Sequence, residues 1–216
     1  VEIDQEFLNV QDWAKRNKMT LNPAKTKKII FRRPSARRSL VLPPLLPLVE
    51  RVRSTKLLGV FITDTLKFNE HVNYVLKQSC QRLYLLKLLR AQGLPLHQLH
   101  TVCVAMLISR ITYAICAWGG FCAAADVNRI NSFLKRLVKY GYMSTVVDFQ
   151  FYLNQADTRL FKSITRSNVH CLQTLLPALK PTAGRELRKR NHMYTLPAFC
   201  YELFRKSFLL RCLYSS

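Results

Sequence analysis

Residues 2 to 17 (EIDQEFLNVQDWAKRN) place Ile3, Phe7, Val10 and Ala14 at helical spacing, with acids early and Lys15-Arg16 late, as the helix dipole prefers. The pattern predicts a helix with one buried face. Asn22-Pro23 ends the connecting loop, and Lys27 to Phe31 predicts a short strand. A proline-rich loop follows (Pro34, Pro43, Pro44, Pro47), and then the runs LVERV and KLLGVFI, which predict a hairpin. Leu57, Leu58, Val60, Phe61 and Ile62 form a continuous apolar run, the pattern of a strand covered on both faces.

From Asn69 the period turns helical. Val72, Val75, Leu76, Ser79, Leu83, Leu86 and Arg90 trace one stripe, and Gly93-Leu94-Pro95 stops it. A second helical region is expected from about Pro95 to Trp118 and a third from about Asp126 to Tyr142. Weaker helical patterns lie around 148–176, followed by a basic linker (ALKPTAGRELRKRN) and a short tail. The expected fold class is α+β, mainly α, with divisions at 1–68, 69–145 and 146–216. No internal repeat is visible.

The chain is 216 residues long and 49% hydrophobic, enough for a real apolar core, yet it carries 34 Lys+Arg against 12 Asp+Glu, a formal charge of +22. A polyanion is the expected partner, nucleic acid before anionic membrane. Residues 15 to 49 hold ten basic residues and no acid, and 71 to 125 hold five and no acid. Thr101 to Ala125 is apolar enough to resemble a membrane span, but Arg110 sits inside it and Gly119-Gly120 breaks it, so a buried helix pair is expected. The seven cysteines show no C-x-x-C pair, which points to reduced, packed thiols in an intracellular protein. His170-Cys171 and His97/His100 lack further ligands at usable spacing and are expected to be surface or core residues. Val1 opens an amphipathic acidic segment rather than a signal peptide, and the chain reads as a fragment.

The order of elements carries a resemblance. A helix ending in W-x-x-x-N-K-M-T-L-N-P-A-K-T-K is followed by a strand, a loop, V-E-x-V-x-S-T-K-L-L-G-V-F-I, then H-V and a long helix. With ISRITYAICAWGG, NRINSFLKRLVKYG, CLQTLLPALKP, LRKRNHMYTLP and RKSFLLRCLY, this resembles the reverse transcriptases of non-LTR (LINE-type, jockey/CR1-like) retrotransposons, from just after the catalytic motif to near the C-terminus. The resemblance implies the end of the palm in 1–68, a helical thumb in 69–145 and a basic C-terminal extension in 146–216.

It also implies roles. Lys25 matches the lysine of the segment often called motif D, a general acid toward departing pyrophosphate; a lysine on a loop can give a proton to a developing oxyanion and stabilise its charge. A solvated Lys that only neutralises phosphate is the other reading, and both stay open. Leu58, Gly59 and Val60 resemble the primer grip, where glycine permits close backbone approach. Lys25, Lys27 and Lys28, with Arg82, Lys87 and Arg90 on the first long helix and Arg129, Lys135, Arg136 and Lys139 on the third, become phosphate contacts. Taken alone, each reads first as a solvated surface charge; together, with few acids interleaved, they favour a backbone-tracking surface.

The family's metal-binding aspartates have no counterpart here, because Asp4, Asp12 and Asp64 are scattered. Mg2+ in the intact enzyme would be held by carboxylates upstream of this chain, and the chain alone is expected to be inactive. The expected partners are an RNA template, a DNA primer or RNA–DNA hybrid, and the fingers and palm of the same polyprotein, with no membrane. The expected location is the nucleus and cytoplasm, as a ribonucleoprotein. A stand-alone nucleic-acid-binding remnant is the alternative. A third reading, resemblance of the Trp13-to-Val60 segment to a module in AlkB-type repair proteins, lacks the H-x-D motif of an iron site.

Overall fold

The computed structural model describes residues 3–33, 42–46, 49–167, 169–180, 192–199 and 201–214. Pro34, Pro47 and most of the basic linker singled out above lie outside the described residues, as does Cys200, one of the seven cysteines. The chain divides into two compact units, Val1–Lys67 and Phe68–Ser216. The described residues are mainly helical, with two small two-stranded sheets, an α+β arrangement.

In the first unit, α1 (Ile3–Arg16) ends where Lys18 turns left-handed at φ 55°; Met19 N then donates to Ala14 O and Lys18 N to Lys15 O. That pairing is a Schellman stop. Of the expected buried face only Ala14 is buried; Ile3 and Val10 are exposed, as is Trp13. The helix forms as its pattern predicts, but little within the unit covers its apolar side.

The strands differ from expectation. Pairing of β1 (Lys27–Lys28) is parallel, with β2 (Glu50–Arg51), so LVERV is no hairpin arm. The hairpin lies inside the next run, where β3 (Ser54–Leu57) pairs antiparallel with β4 (Val60–Thr63) across Leu58-Gly59. Both turn residues have positive φ, 46° and 90°, as a type I′ turn requires. The apolar run is therefore not one strand covered on both faces: Val60 is buried, Phe61 and Ile62 are half-buried, and Leu57 and Leu58 face solvent. A turn inside an apolar run leaves the same pattern as a buried strand when its first residue is leucine.

In the second unit α2 (Asn69–Ala91) buries Val72, Val75, Ser79, Leu83 and Leu86, five positions of the expected stripe, together with His71. It stops at Gly93 (φ 86°), with Leu94 N donating to Leu89 O. The apolar stretch after it folds as α3 (Leu96–Cys103), a π-helical turn (Val104–Ile108), α4 (Ser109–Thr112) and α5 (Ile115–Trp118), with a break at left-handed Ala114. By length and composition Leu96–Phe121 could cross a bilayer. Here Leu99, Cys103, Leu107, Ile111, Ile115 and Trp118 are all buried.

Trp118 lies at the centre of this core, edge-on to His71 at 4.8 Å and against Phe149 at 5.5 Å, with Nε1 donating to Tyr113 O. A Cβ on Gly119 would sit 2.9 Å from Leu153 Cδ1, so any larger residue there makes the Leu153 side chain shift. Next come α6 (Ala124–Lys139), α7 (Phe149–Arg166), α8 (Glu202–Arg205) and α9 (Phe208–Tyr214). Within the second unit α7 packs on α4, α5, α6 and α9.

Candidate nucleic-acid interface

Two basic surfaces, one in each unit, hold the candidate residues. In the first unit Asn22 shapes the NPAKT loop. Its Oδ1 accepts from Lys25 N, its carbonyl accepts from Thr26 Oγ1 at 2.8 Å, and Pro23 starts the short 3-10 turn Pro23–Lys25. The Lys25 side chain is left in solvent, with no hydrogen bond or ion pair to any described residue. Lys27 is half-occupied, paired with Glu50 across the parallel strands. Lys28, expected to meet phosphate, is instead only 6% exposed, and its Nζ donates to Pro44 O at 3.1 Å. A period of two along the strand sends one of two adjacent lysines inward, and this one meets a carbonyl instead of phosphate.

The hairpin tip carries Leu58 at 83% exposure beside Gly59, while Val60 is buried. Leucine in the left-handed region is strained, so an apolar side chain is held out at the tip at some cost to the fold.

In the second unit α2 and α6 lie side by side. Arg129 bridges them, with Nη1 on Asp126 Oδ1 at 3.0 Å and Nη2 on Asn73 Oδ1 at 2.7 Å. One helical span further on, Arg136 lies over the Phe133 ring and reaches Cys80 Sγ at 3.7 Å. Lys87 sits 4.8 Å from the Tyr140 ring centre, and Arg90 Nη1 donates to Tyr140 O at 2.6 Å. That carbonyl is presented by another Schellman stop at Gly141 (φ 75°), which also turns Tyr142 into the core. Lys135 and Lys139 are exposed and have no hydrogen bond or ion pair among the described residues.

Asn73, Lys77, Cys80, Arg129, Ser132 and Arg136 line the resulting open groove. Lys77 escaped the sequence reading. The signal was there, since 73, 77 and 80 follow one helical flank within an acid-free run. Arg82 does not belong with the others: its Nη1 donates to Met106 O at 2.9 Å, a carbonyl in the π-helical turn. Widening the turn leaves a carbonyl to be satisfied from outside the helix, and Arg82 supplies the donor.

Four of the acids are spent locally. Asp64 binds Arg32 at 2.6 Å, Glu50 binds Lys27, Asp126 binds Arg129 and Asp157 binds Arg211. No three His, Cys, Asp or Glu side chains converge as a metal site among the described residues. Two of the histidines have local partners, His100 Nδ1 against Tyr142 O at 3.0 Å and His170 Nδ1 accepting from Leu172 N. Burial pushes the Cys103 thiol up to about 11 and the Cys122 and Cys212 thiols to about 12. Cys116 also rises to about 12, through burial and then its contact with the Asp157 carboxylate. Such thiols stay protonated at neutral pH and are poor nucleophiles. No family model matches the chain, and no curated protein and no solved structure is significantly similar to it.

Proposed function

We propose that this chain is the palm-end, thumb and C-terminal portion of an RNA-directed DNA polymerase of a non-LTR retrotransposon, and that it binds primer–template through backbone contacts. The observation that carries the reading is the face shared by α2 and α6. It gathers Lys77, Arg129 and Arg136 in the groove and Lys87 and Arg90 against the end of α6, with Lys135 and Lys139 exposed on the outer flank of α6, while Asp126, the one acid between residues 71 and 147, is buried against Arg129. Rigid helices with cations at regular intervals suit a phosphate backbone, which carries charge at regular intervals and no sequence.

The exposed, strained Leu58-Gly59 tip supports a primer-grip role, since an apolar side chain and a bare backbone can pack on a sugar. Lys25, on a capped loop with its amine in solvent, suits a proton donor or charge neutraliser at a departing pyrophosphate. In this reading the Mg2+ carboxylates come from outside the chain, the partners are template RNA and DNA primer, and the work is done inside the cell. Fluorescence anisotropy on a primed RNA–DNA duplex across a salt series tests it. Binding indifferent to sequence and falling steeply with salt is expected; sequence-blind binding that is also salt-blind would contradict it.

A further inference from the structure

A second cleft, of about 850 Å3, lies along α7, away from the α2–α6 groove residues. One wall is a single stripe of α7: Asn154, Thr158, Phe161 and Thr165, at i, i+4, i+7 and i+11. At 1.5 Å per residue the stripe runs about 16 Å. The opposite wall is the chain pairing around the Leu179–Tyr194 bridge, held by Lys180 N to Met193 O and Thr195 N to Ala178 O. Phe161 and Tyr194 meet edge-on at 6.2 Å, both half-exposed, with His192 behind them at 6.1 and 5.9 Å.

His192 takes no part in proton transfer. Its Nδ1 accepts from Tyr194 N and its Nε2–H donates to Leu213 O at 2.9 Å, so both ring nitrogens are committed and the ring serves to fix Tyr194. The carboxylate in the cleft, Asp157, is held by Arg211 through Nε to Oδ2 and Nη2 to Oδ1. The remaining charge on the stripe is Lys162, and α7 adds Arg159 and Arg166.

We infer that this cleft binds unpaired nucleotides of a single strand, with a base stacked on Tyr194 and flanked by Phe161, while Asn154, Thr158 and Thr165 meet its edge and Lys162 meets the phosphate. Half-exposed aromatics beside amide, hydroxyl and one cation, with the local acid neutralised, form a surface for a base with a phosphate attached. Neither an aliphatic ligand nor an acidic peptide would use that combination. The inference rests on the proposed function only in its choice of polyanion, because it concerns a different surface and a different strand state.

The test uses the full chain and a pentauridylate carrying one 5-iodouridine. Irradiation should crosslink Phe161 or Tyr194, as read from the modified peptide. Tyr194→Leu should weaken pentauridylate binding by about fivefold or more while leaving duplex affinity within about twofold, because duplex affinity comes from phosphate contacts elsewhere. Crosslinks confined to other residues, or unchanged pentauridylate binding by Tyr194→Leu, would overturn the inference. So would competition by pentaglutamate as strong as by pentauridylate, since charge alone would then suffice. Should Tyr194→Leu fail to fold, the crosslink on the unaltered chain decides. Joint replacement of Lys135, Arg136 and Lys139 by Ala separates the two readings, since it should weaken duplex binding and spare the crosslink.

Discussion

Arg211 and Asp157 hold each other in a two-point pair, Nε to Oδ2 and Nη2 to Oδ1, both at 3.0 Å. The same guanidinium donates to Cys116 O and to Lys206 O, and it leaves no room for a Cβ on Gly120. One side chain thereby joins α9, α7 and the α5 turn. Burial lifts the Asp157 carboxyl above its ordinary range even against the pull of Arg211.

Arg211→Met should therefore destabilise the second unit by about 3–5 kcal/mol, because it strands a buried carboxylate. Adding Asp157→Asn should recover part of that loss. Urea unfolding followed by circular dichroism measures both, and a double variant no more stable than the single would contradict the pairing.

The lysines of the NPAKTKK segment should separate by exposure. Lys25→Ala should lower the salt slope of duplex binding by about 0.9, the value of one phosphate contact on B-DNA. Lys28→Met should leave the slope unchanged, because that ammonium is buried against Pro44 O. Anisotropy across a salt series distinguishes them.

How much of this was legible in the sequence depended on whether a feature is local. The α2 stripe was readable because Val72, Val75, Ser79, Leu83 and Leu86 repeat at the helical period and Gly93 marks the stop. The α6 charges were readable too, since polar and apolar positions alternate cleanly there. The π-helical turn was not, because Val102 to Ile108 is apolar on every side and its register is set by a distant donor, Arg82. Parallel pairing of Lys27–Lys28 with Glu50–Arg51 depends on a contact across an intervening loop. Nor could sequence tell that Lys28 turns inward while Lys25 does not.

Ser79 is fully buried in α2, and its Oγ has no partner among the described residues. Ser79→Ala removes a desolvated hydroxyl and adds helix propensity, so it should stabilise the fold by about 1 kcal/mol. Thermal melting checks the sign.

Thiol reactivity should sort by burial. At pH 8, iodoacetamide followed by peptide mass spectrometry should find Cys80 and Cys171 modified first, and Cys103, Cys116, Cys122 and Cys212 protected. Folded thiols raised from 9.0 to about 11–12 keep protons that the unfolded chain gives up. Their contribution to stability is whole below pH 9 and is lost as pH rises through 11–12. Unfolding should thus become easier with alkali over that window, and a stability that rises there would contradict the burial.

The central claim is that the α2–α6 face holds a nucleic-acid backbone. Joint replacement of Lys135, Arg136 and Lys139 by Ala tests it most directly, because the three are neighbours on one turn of α6 beside the groove and Lys135 and Lys139 hold no described partner. Measured by anisotropy on a primed duplex, the slope of log K against log salt should become shallower by about 2.7, three contacts at 0.9 each, with affinity reduced equally for unrelated sequences. A slope unchanged within error, in a variant that melts like the parent, would contradict the account.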